Sequence, residues 1–202
     1  MSELAVTLNG RFVTLTPLGL NDVAGLVRAA SGDRSTFRWS HIPDSIEGME
    51  AVVRTLLADQ EARNAVPFVT RSRESGEIIG MTRFLLLRWW RQRRFPDAAE
   101  IGGTFLAAPW QRTQCNTEAK LLMMSHAFDV WGVQRLDLKS DARNERSRRA
   151  MERLGAHFEG VLRSWQPSQV DGEEGLTRDS SMYSFLPSEW PDVKARLVER
   201  LQ

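Results

Sequence analysis

The chain contains a single cysteine, only three lysines and no long apolar run. Because Cys115 has no second thiol, an intrachain disulfide and a cysteine-rich metal site are both excluded. No apolar stretch approaches the roughly 20 residues that a membrane-spanning helix needs. Residues 1–10 are neither basic nor continuously apolar, as a signal peptide would be. We therefore expect no metal, no membrane association and a cytoplasmic location.

Charge of either sign is also not in excess. The 27 Lys and Arg residues against 26 Asp and Glu residues give a formal net charge of +1. Such a balance argues against nucleic acid as a partner, because proteins that coat nucleic acid usually carry a strong basic excess. A length of 202 residues suffices for one substantial domain and is short for two. We expect a single domain over residues 1–202.

Apolar periodicity and turn residues predict the element order β-α-α-β-β-β-α-β-α-β-β-α. The predicted strands are Arg11–Pro17, Val66–Arg73, Glu77–Leu87, Ala99–Ala107, Arg135–Lys139, Phe158–Trp165 and Arg178–Leu186. The predicted helices run from Asn21 or Asp22 to Ala30, from Ser45 to about Ala62, over 116–131, and over Glu145–Leu154 and Pro191–Leu201. This order indicates an α/β (α+β) fold in which helices flank a mixed central β-sheet.

The most informative region is residues 101–155, which reads as strand, polar turn, helix, strand and helix. Gln111–Thr117 forms the turn, and a second helix start follows at Asp141–Ser147. The free N–H groups and the dipole of a helix N-terminus favour bound anions. Two such starts in one β-α-β-α unit indicate a phosphate-bearing cofactor lying across a parallel sheet, and hence an enzyme.

Gly102-Gly103 lies inside the predicted strand before this turn. Glycines within a strand often mark a bulge or a close backbone approach. A bulge here would splay the strand from Arg135–Lys139 and let a ligand pair with the backbone of Phe105, Leu106 and Ala107, as an added strand would. The alternative is that a helix simply packs against the glycine pair.

Two motifs resemble one enzyme family. Gln111-x-x-Gln114-x-Asn116 resembles the Gln/Arg-x-x-Gly-x-Gly/Ala loop of the GNAT N-acetyltransferases, and residues 110–119 are similar to their RimJ/RimL-like branch. Asn144-x-x-Ser147 followed by residues 149–156 is similar to the second signature of that branch. Arg178-Asp179 and Trp190-Pro191 match its C-terminal end.

The resemblance implies a single-domain GNAT fold whose sheet is splayed between two parallel strands. It implies transfer of an acetyl group from acetyl-CoA (coenzyme A) to a primary amine, by direct attack in a ternary complex. The acceptor would be a protein or peptide N-terminus or a small-molecule amine. The implied coenzyme A-binding residues are Phe105, Leu106, Ala107, Gln111, Arg112, Thr113, Gln114, Cys115, Asn116, Thr117, Asn144 and Ser147.

The loop departs from the family pattern, because Gln114 and Asn116 stand where the general motif has glycine. Asparagine tolerates a left-handed backbone, whereas glutamine does so poorly. Either the loop needs no positive φ at 114, or it is strained there by about 1 kcal/mol. Arg112 could offset this cost by contacting a phosphate directly.

The resemblance implies Ser147 as the residue that protonates the departing thiolate, although a serine in a first helical turn is often only solvated. Asn144 could equally be a helix N-cap. Glu100, at the start of the splayed strand, is our candidate to hold a water that accepts the amine proton, against a plain surface glutamate. Ribosomal-protein acetyltransferases have a proposed carboxylate base where this chain has Gln166, which weakens a ribosomal substrate.

Acceptor contacts are expected from Trp39 and His41, in the loop over residues 31–44. Residues 88–95 interleave arginines with aromatic side chains. This segment predicts a partly buried hairpin with solvated arginines, or else a patch for an acidic protein, a homodimer partner or RNA. The alternative to an enzyme is a non-catalytic acyl-CoA-binding or RNA/ribosome-associated module on the same fold.

Overall fold

The computed structural model describes residues 4–202 and contains one eight-stranded sheet flanked by helices. The strands are β1 (Leu8–Asn9), β2 (Val13–Pro17), β3 (Val66–Ser72), β4 (Ile78–Arg88), β5 (Ala98–Leu106), β6 (Arg135–Asp141), β7 (His157–Pro167) and β8 (Thr177–Phe185). The helices are α1 (Val23–Ala30), α2 (Ile46–Glu61), α3 (Gln114–Ser125), α4 (Glu145–Leu154) and α5 (Trp190–Glu199). The predicted order is confirmed, and β1 is an additional strand that periodicity does not indicate.

The sheet is open and mixed, with the strand order β1-β2-β3-β4-β5-β6-β8-β7. Every neighbouring pair is antiparallel except β5 and β6, which are parallel. A parallel pair needs a crossover connection, and here α3 supplies it. Beyond α3 the chain continues as a π-helical turn, His126–Trp131. This helix stops at Gly132, whose left-handed φ of 63° is typical of a helix C-cap.

The two faces of the sheet bury separate apolar clusters. Phe68 and Val69 are adjacent on β3 and belong to different clusters, because successive strand residues point to opposite faces. Helices α3 and α5 cover the first face, whereas α1 and α2 cover the second. The first cluster includes Phe84, Met123, Leu136, Val193 and Leu197, and the second includes Leu26, Met49, Val53, Met81 and Phe105.

Strands β5 and β6 part soon after they meet. Their pairing extends only from Ala98↔Arg135 to Glu100↔Asp137. Immediately beyond, the β4–β5 register shifts between Met81 and Arg83, and Gly103 adopts a left-handed φ of 55°. A side chain at Gly103 would also meet the Arg83 guanidinium at 2.8 Å. The glycine pair therefore makes the predicted bulge, which leaves residues 101–106 of β5 without a described β6 partner.

The arginine-rich segment over residues 88–95 folds around one buried carboxylate. Asp97 accepts hydrogen bonds from the backbone N–H groups of Trp90 and Arg91 and from the Arg91 side chain. Arg93 donates to the carbonyl oxygens of Phe95 and Pro96. The partly buried hairpin is confirmed, with arginines that are bonded within the chain rather than only solvated.

Within residues 4–202, no helix combines the length and the apolar character required to cross a membrane.

Candidate active site

The turn between β5 and α3 is held by the Gln111 side chain. Its Nε2 donates to the Leu106 carbonyl at 2.8 Å and to Thr36 Oγ1 at 2.9 Å, and its Oε1 accepts from Arg146 at 2.6 Å. One residue thereby connects the turn to β5, to the 31–44 loop and to α4. Gln111 fixes the turn, whatever else it contacts.

The left-handed residue of this turn is Arg112, with φ 62°, and not Gln114. Gln114 is the first residue of α3, and Thr113 is its N-cap, whose Oγ1 accepts from the Cys115 N–H at 3.3 Å. The sequence left open whether the backbone at 114 is strained or needs no positive φ. In the structure Gln114 is helical and needs none. The backbone cost falls two residues earlier, on the exposed Arg112.

The turn has the features of an oxyanion site. The N–H groups of Arg112, Thr113 and Gln114 meet no acceptor among the described residues, whereas those of Gln111 and Cys115 are bonded. These free donors lie at the positive end of α3. Arg112 and Arg146 lie close enough that the charge of Arg112 lowers the Arg146 pKa, after the larger effect of burial. Free amides beside two cations fit a diphosphate.

The second helix start lies beside this turn, since Arg146 in the first turn of α4 bonds Gln111. Asn144 is the N-cap of α4, and its Oδ1 accepts from the Ser147 N–H at 3.1 Å. The capping alternative for Asn144 is therefore confirmed. Ser147 is partly exposed in the first turn of α4, and no described residue bonds its hydroxyl. That hydroxyl is available to a ligand.

Glu100 lies at the point where β5 and β6 separate, and only 4 % of it is exposed. Its Oε2 is 3.4 Å from Lys139 Nζ on β6. Burial raises the pKa of the Glu100 carboxyl, while Lys139 and Arg88 oppose the rise and Asp137 adds to it. Glu100 is thus not a surface glutamate, and its partly neutralised environment suits a group that gains and loses a proton.

Trp39 and His41 help to cover the carboxyl end of β6. The Trp39 ring centre is 4.7 Å from the Arg143 guanidinium, which also bonds Asp141 and Glu173 at 2.8 Å each. His41 Nδ1 is 3.9 Å from Asp171. We call this connection of the 31–44 loop, the β6–α4 turn and the β7–β8 loop the roof.

Sequence reasoning did not single out Lys139 and Arg143. Lys139 follows Asp137 by two residues, so strand alternation places both side chains on one face. Because Glu100 pairs with Asp137, that face also carries Glu100. Arg143 contacts residues distant in sequence, and no local pattern indicates those contacts. His126 is a buried side chain that packs against the Trp131 ring.

A separate cavity of about 190 Å³ lies beside the N-terminus of α3. Thr113, Gln114 and the buried Cys115 line it together with Arg11, Phe12, Ser72, Glu74 and Trp110. Neither Glu100 nor Ser147 contributes to it. The cavity therefore belongs to the β2 side of the turn and not to the point where the strands separate.

Comparison with known proteins decides the family. The acetyltransferase (GNAT) domain family matches residues 13–157, well over half of the chain. The chain belongs to the GNAT family. It is 26% identical over 143 residues to the uncharacterized N-acetyltransferase YoaA of Bacillus subtilis (strain 168), covering 71% of this chain and 75% of YoaA.

Several solved acetyltransferase structures have the same fold as this GNAT protein. A GCN5-related N-acetyltransferase from Brucella melitensis has a TM-score of 0.85 at 26% identity, covering 100% of this chain and 88% of that one. Mycobacterium smegmatis RimJ, in complex with CoA-disulfide, has a TM-score of 0.80 at 20% identity, covering 97% and 95%. The likeness to RimJ shows a shared fold.

Proposed function

We propose that this chain works as a single N-acetyltransferase domain that transfers an acetyl group from acetyl-CoA to a primary amine. The parting of β5 from β6 beside the free N-terminus of α3 carries the proposal. This geometry provides an open strand edge for an amide-bearing arm and, at its end, an oxyanion site for a diphosphate. The GNAT family match supports the same reading.

Two helix starts and one strand hold the cofactor in this proposal. Phe105, Leu106 and Ala107 offer backbone groups to the pantetheine arm, and residues 111–117 hold the diphosphate. The Asn144 and Ser147 side chains flank the thioester end. Acetyl-CoA, when bound, supplies an activated acyl group for direct transfer to the amine.

Glu100 and Ser147 have complementary proton roles. Glu100 takes the proton of the attacking amine through one water and later returns it to solvent. The Ser147 hydroxyl gives a proton to the departing sulfur and regains one from water. An α-amine with a pKa near 8 costs about 1.4 kcal/mol to deprotonate at pH 7, whereas a lysine near 10.4 costs about 4.6 kcal/mol. The site therefore favours acceptors whose amine has a low pKa.

The proposed function is tested by thiol release from acetyl-CoA with a panel of amines and N-terminal peptides. We expect turnover with at least one class of primary amine and none with the matching N-acetylated compound. Coenzyme A that binds with no turnover on any amine would instead support the non-catalytic acyl-CoA-binding module. Gln166, which cannot accept a proton, remains the sequence feature that disfavours ribosomal substrates.

The diphosphate assignment predicts a loss of affinity when Arg112 is changed. We expect Arg112→Ala to weaken coenzyme A binding by about tenfold, because one charge-assisted contact of about 1.5 kcal/mol is lost. Isothermal titration calorimetry with coenzyme A measures the effect. Unchanged affinity would show that the turn does not bind the diphosphate.

Arg112→Gly is the matched control for backbone strain. Glycine tolerates φ 62° whereas alanine does not, so the free energy of unfolding should be about 1 kcal/mol higher for Arg112→Gly than for Arg112→Ala. Both variants lack the guanidinium and should lose the same coenzyme A affinity. A difference in affinity between them would assign the effect to the backbone instead of the charge.

A further inference from the structure

Arg178 on β8 is a buried cation that no described residue of the chain bonds. Only 8 % of it is exposed, its guanidinium makes no hydrogen bond or ion pair with a described residue, and its Nε is a buried donor without an acceptor. Native proteins pair nearly all buried polar groups, and an unpaired buried charge is especially costly. The guanidinium is therefore poised for an anion from outside the chain.

The register of the sheet places Arg178 on the same face as Glu100. Ser180 lies opposite Asp141 and Met182 opposite Lys139, and alternate residues of β8 share that face. Glu100, on the neighbouring strand β5, pairs with Asp137 of β6. Strand β6 therefore lies between the strands of Glu100 and Arg178, and all these side chains share one face of the sheet. Burial lowers the Arg178 pKa, and the nearby charges of Asp141 and Glu100 oppose this effect.

The nearby carboxylates are already engaged. Asp141 accepts two side-chain hydrogen bonds from Arg143, and Glu100 is paired with Lys139. On β4, Arg83 also makes no hydrogen bond with a described residue. Burial lowers the Arg83 pKa, and the charges of Asp59 and Glu100 oppose this effect. Asp141 and Glu100 are thus both paired, whereas Arg83 and Arg178 are cations that no described carboxylate bonds. Such a potential favours a neutral amine over an ammonium ion, and it attracts anions.

We infer that the acceptor carries an oxyanion group, a carboxylate or a phosphate, which binds the Arg178 guanidinium while its amine reaches Glu100. The inference rests on the proposed function and names the class of acceptor for it. The planar fork of N–H donors on arginine matches both oxyanions in bidentate geometry. The roof would then enclose the anionic end of the acceptor.

Turnover of matched amines tests the preference. O-phosphoethanolamine is compared with ethanolamine, and glycine, 4-aminobutyrate and 6-aminohexanoate with alkylamines of equal length. For either the phosphate or the carboxylate compounds, we expect kcat/KM to be at least tenfold higher than for the matched uncharged amines. The series with the higher kcat/KM shows which oxyanion the acceptor carries. In Arg178→Met the preference should fall below threefold. Arg163→Met, the same change at an exposed position on β7, should retain it. Equal or better turnover of the uncharged members would overturn the inference.

A binding measurement separates this inference from the proposed function. In the 15N-labelled protein saturated with coenzyme A, the Arg178 Nε–Hε resonance is assigned by its loss in Arg178→Lys. O-phosphoethanolamine or 4-aminobutyrate should move the Hε signal downfield, and ethanolamine should not. A shift without any turnover would leave the anion site standing and would contradict the acetyltransferase. No shift with either anionic probe overturns the inference, whether or not amines are acetylated.

Discussion

Glu100→Gln is expected to lower kcat by a factor of 10² to 10⁴, the range typical for loss of a general base. Glutamine keeps the size of the side chain and its place beside Lys139, but it cannot accept a proton. Because burial raises the pKa of Glu100, the wild-type rate should rise with pH as this carboxyl ionises. The variant should lack that rise and retain only the dependence due to the acceptor amine.

The pH profile makes this a test of the proton role and not of folding alone. Coenzyme A affinity should be unchanged in Glu100→Gln, because the proposed cofactor contacts lie on residues 105–117 and on α4. Glu61→Gln, the same change at the exposed end of α2, should leave both the rate and the profile as they are. If Glu100→Gln kept the wild-type pH profile, another group would have to be the base.

Those parts of the fold that depend on local backbone chemistry could be predicted from the sequence. Ser45 and Asn144 are N-caps because their short side chains reach the N–H groups of the first helical turn. Gly132 and Gly155 end helices because each adopts a left-handed backbone at little cost. Gly102-Gly103 likewise indicated the bulge, and thereby the cleft between β5 and β6.

The conformation of the turn over residues 111–117 could not be predicted, although its place between β5 and α3 could. The family motif draws attention to 114 and 116, but both residues are helical here and Arg112 takes the positive φ. Arginine is a poor choice for that conformation on intrinsic grounds. Its place is set by Gln111, whose side chain bonds three other segments, and such long-range contacts leave no local pattern.

The charged groups around Glu100 were missed for a similar reason. Lys139 and Arg178 each read as ordinary polar residues of a half-exposed strand. They are buried because the roof and α1–α2 cover this face of the sheet, and that covering is a tertiary property. A periodicity of two predicts which side chains share a face, but not whether that face is solvated.

Lys120 is the most unusual titratable group outside the cleft. It lies on α3 with 6 % exposure, and its Nζ contacts only hydroxyls, those of Thr82 at 3.2 Å and Thr104 at 2.7 Å. Burial lowers the Lys120 pKa from 10.5 to about 7, and no charged group contributes to the shift. The protein therefore buries an amine that no carboxylate of residues 4–202 stabilises.

Lys120→Met is expected to raise the free energy of unfolding. With a pKa of 10.5 unfolded and about 7 folded, the lysine costs on the order of 4 kcal/mol near neutral pH. Loss of its hydroxyl contacts offsets part of this, although Thr82 and Thr104 still bond each other at 2.8 Å. We expect a gain of about 2 kcal/mol at pH 6, measured by urea unfolding.

The pH dependence of this gain gives the decisive comparison. The folded state binds fewer protons at Lys120 than the unfolded state between pH 7 and 10.5, so wild-type stability rises with pH over that window. The advantage of Lys120→Met should be largest below pH 7 and should shrink towards pH 10. Lys194→Met, the same change at a half-exposed lysine paired with Asp129, should gain nothing. A lower stability for Lys120→Met at pH 6 would mean that the folded protein stabilises the Lys120 ammonium, contrary to its burial among hydroxyls.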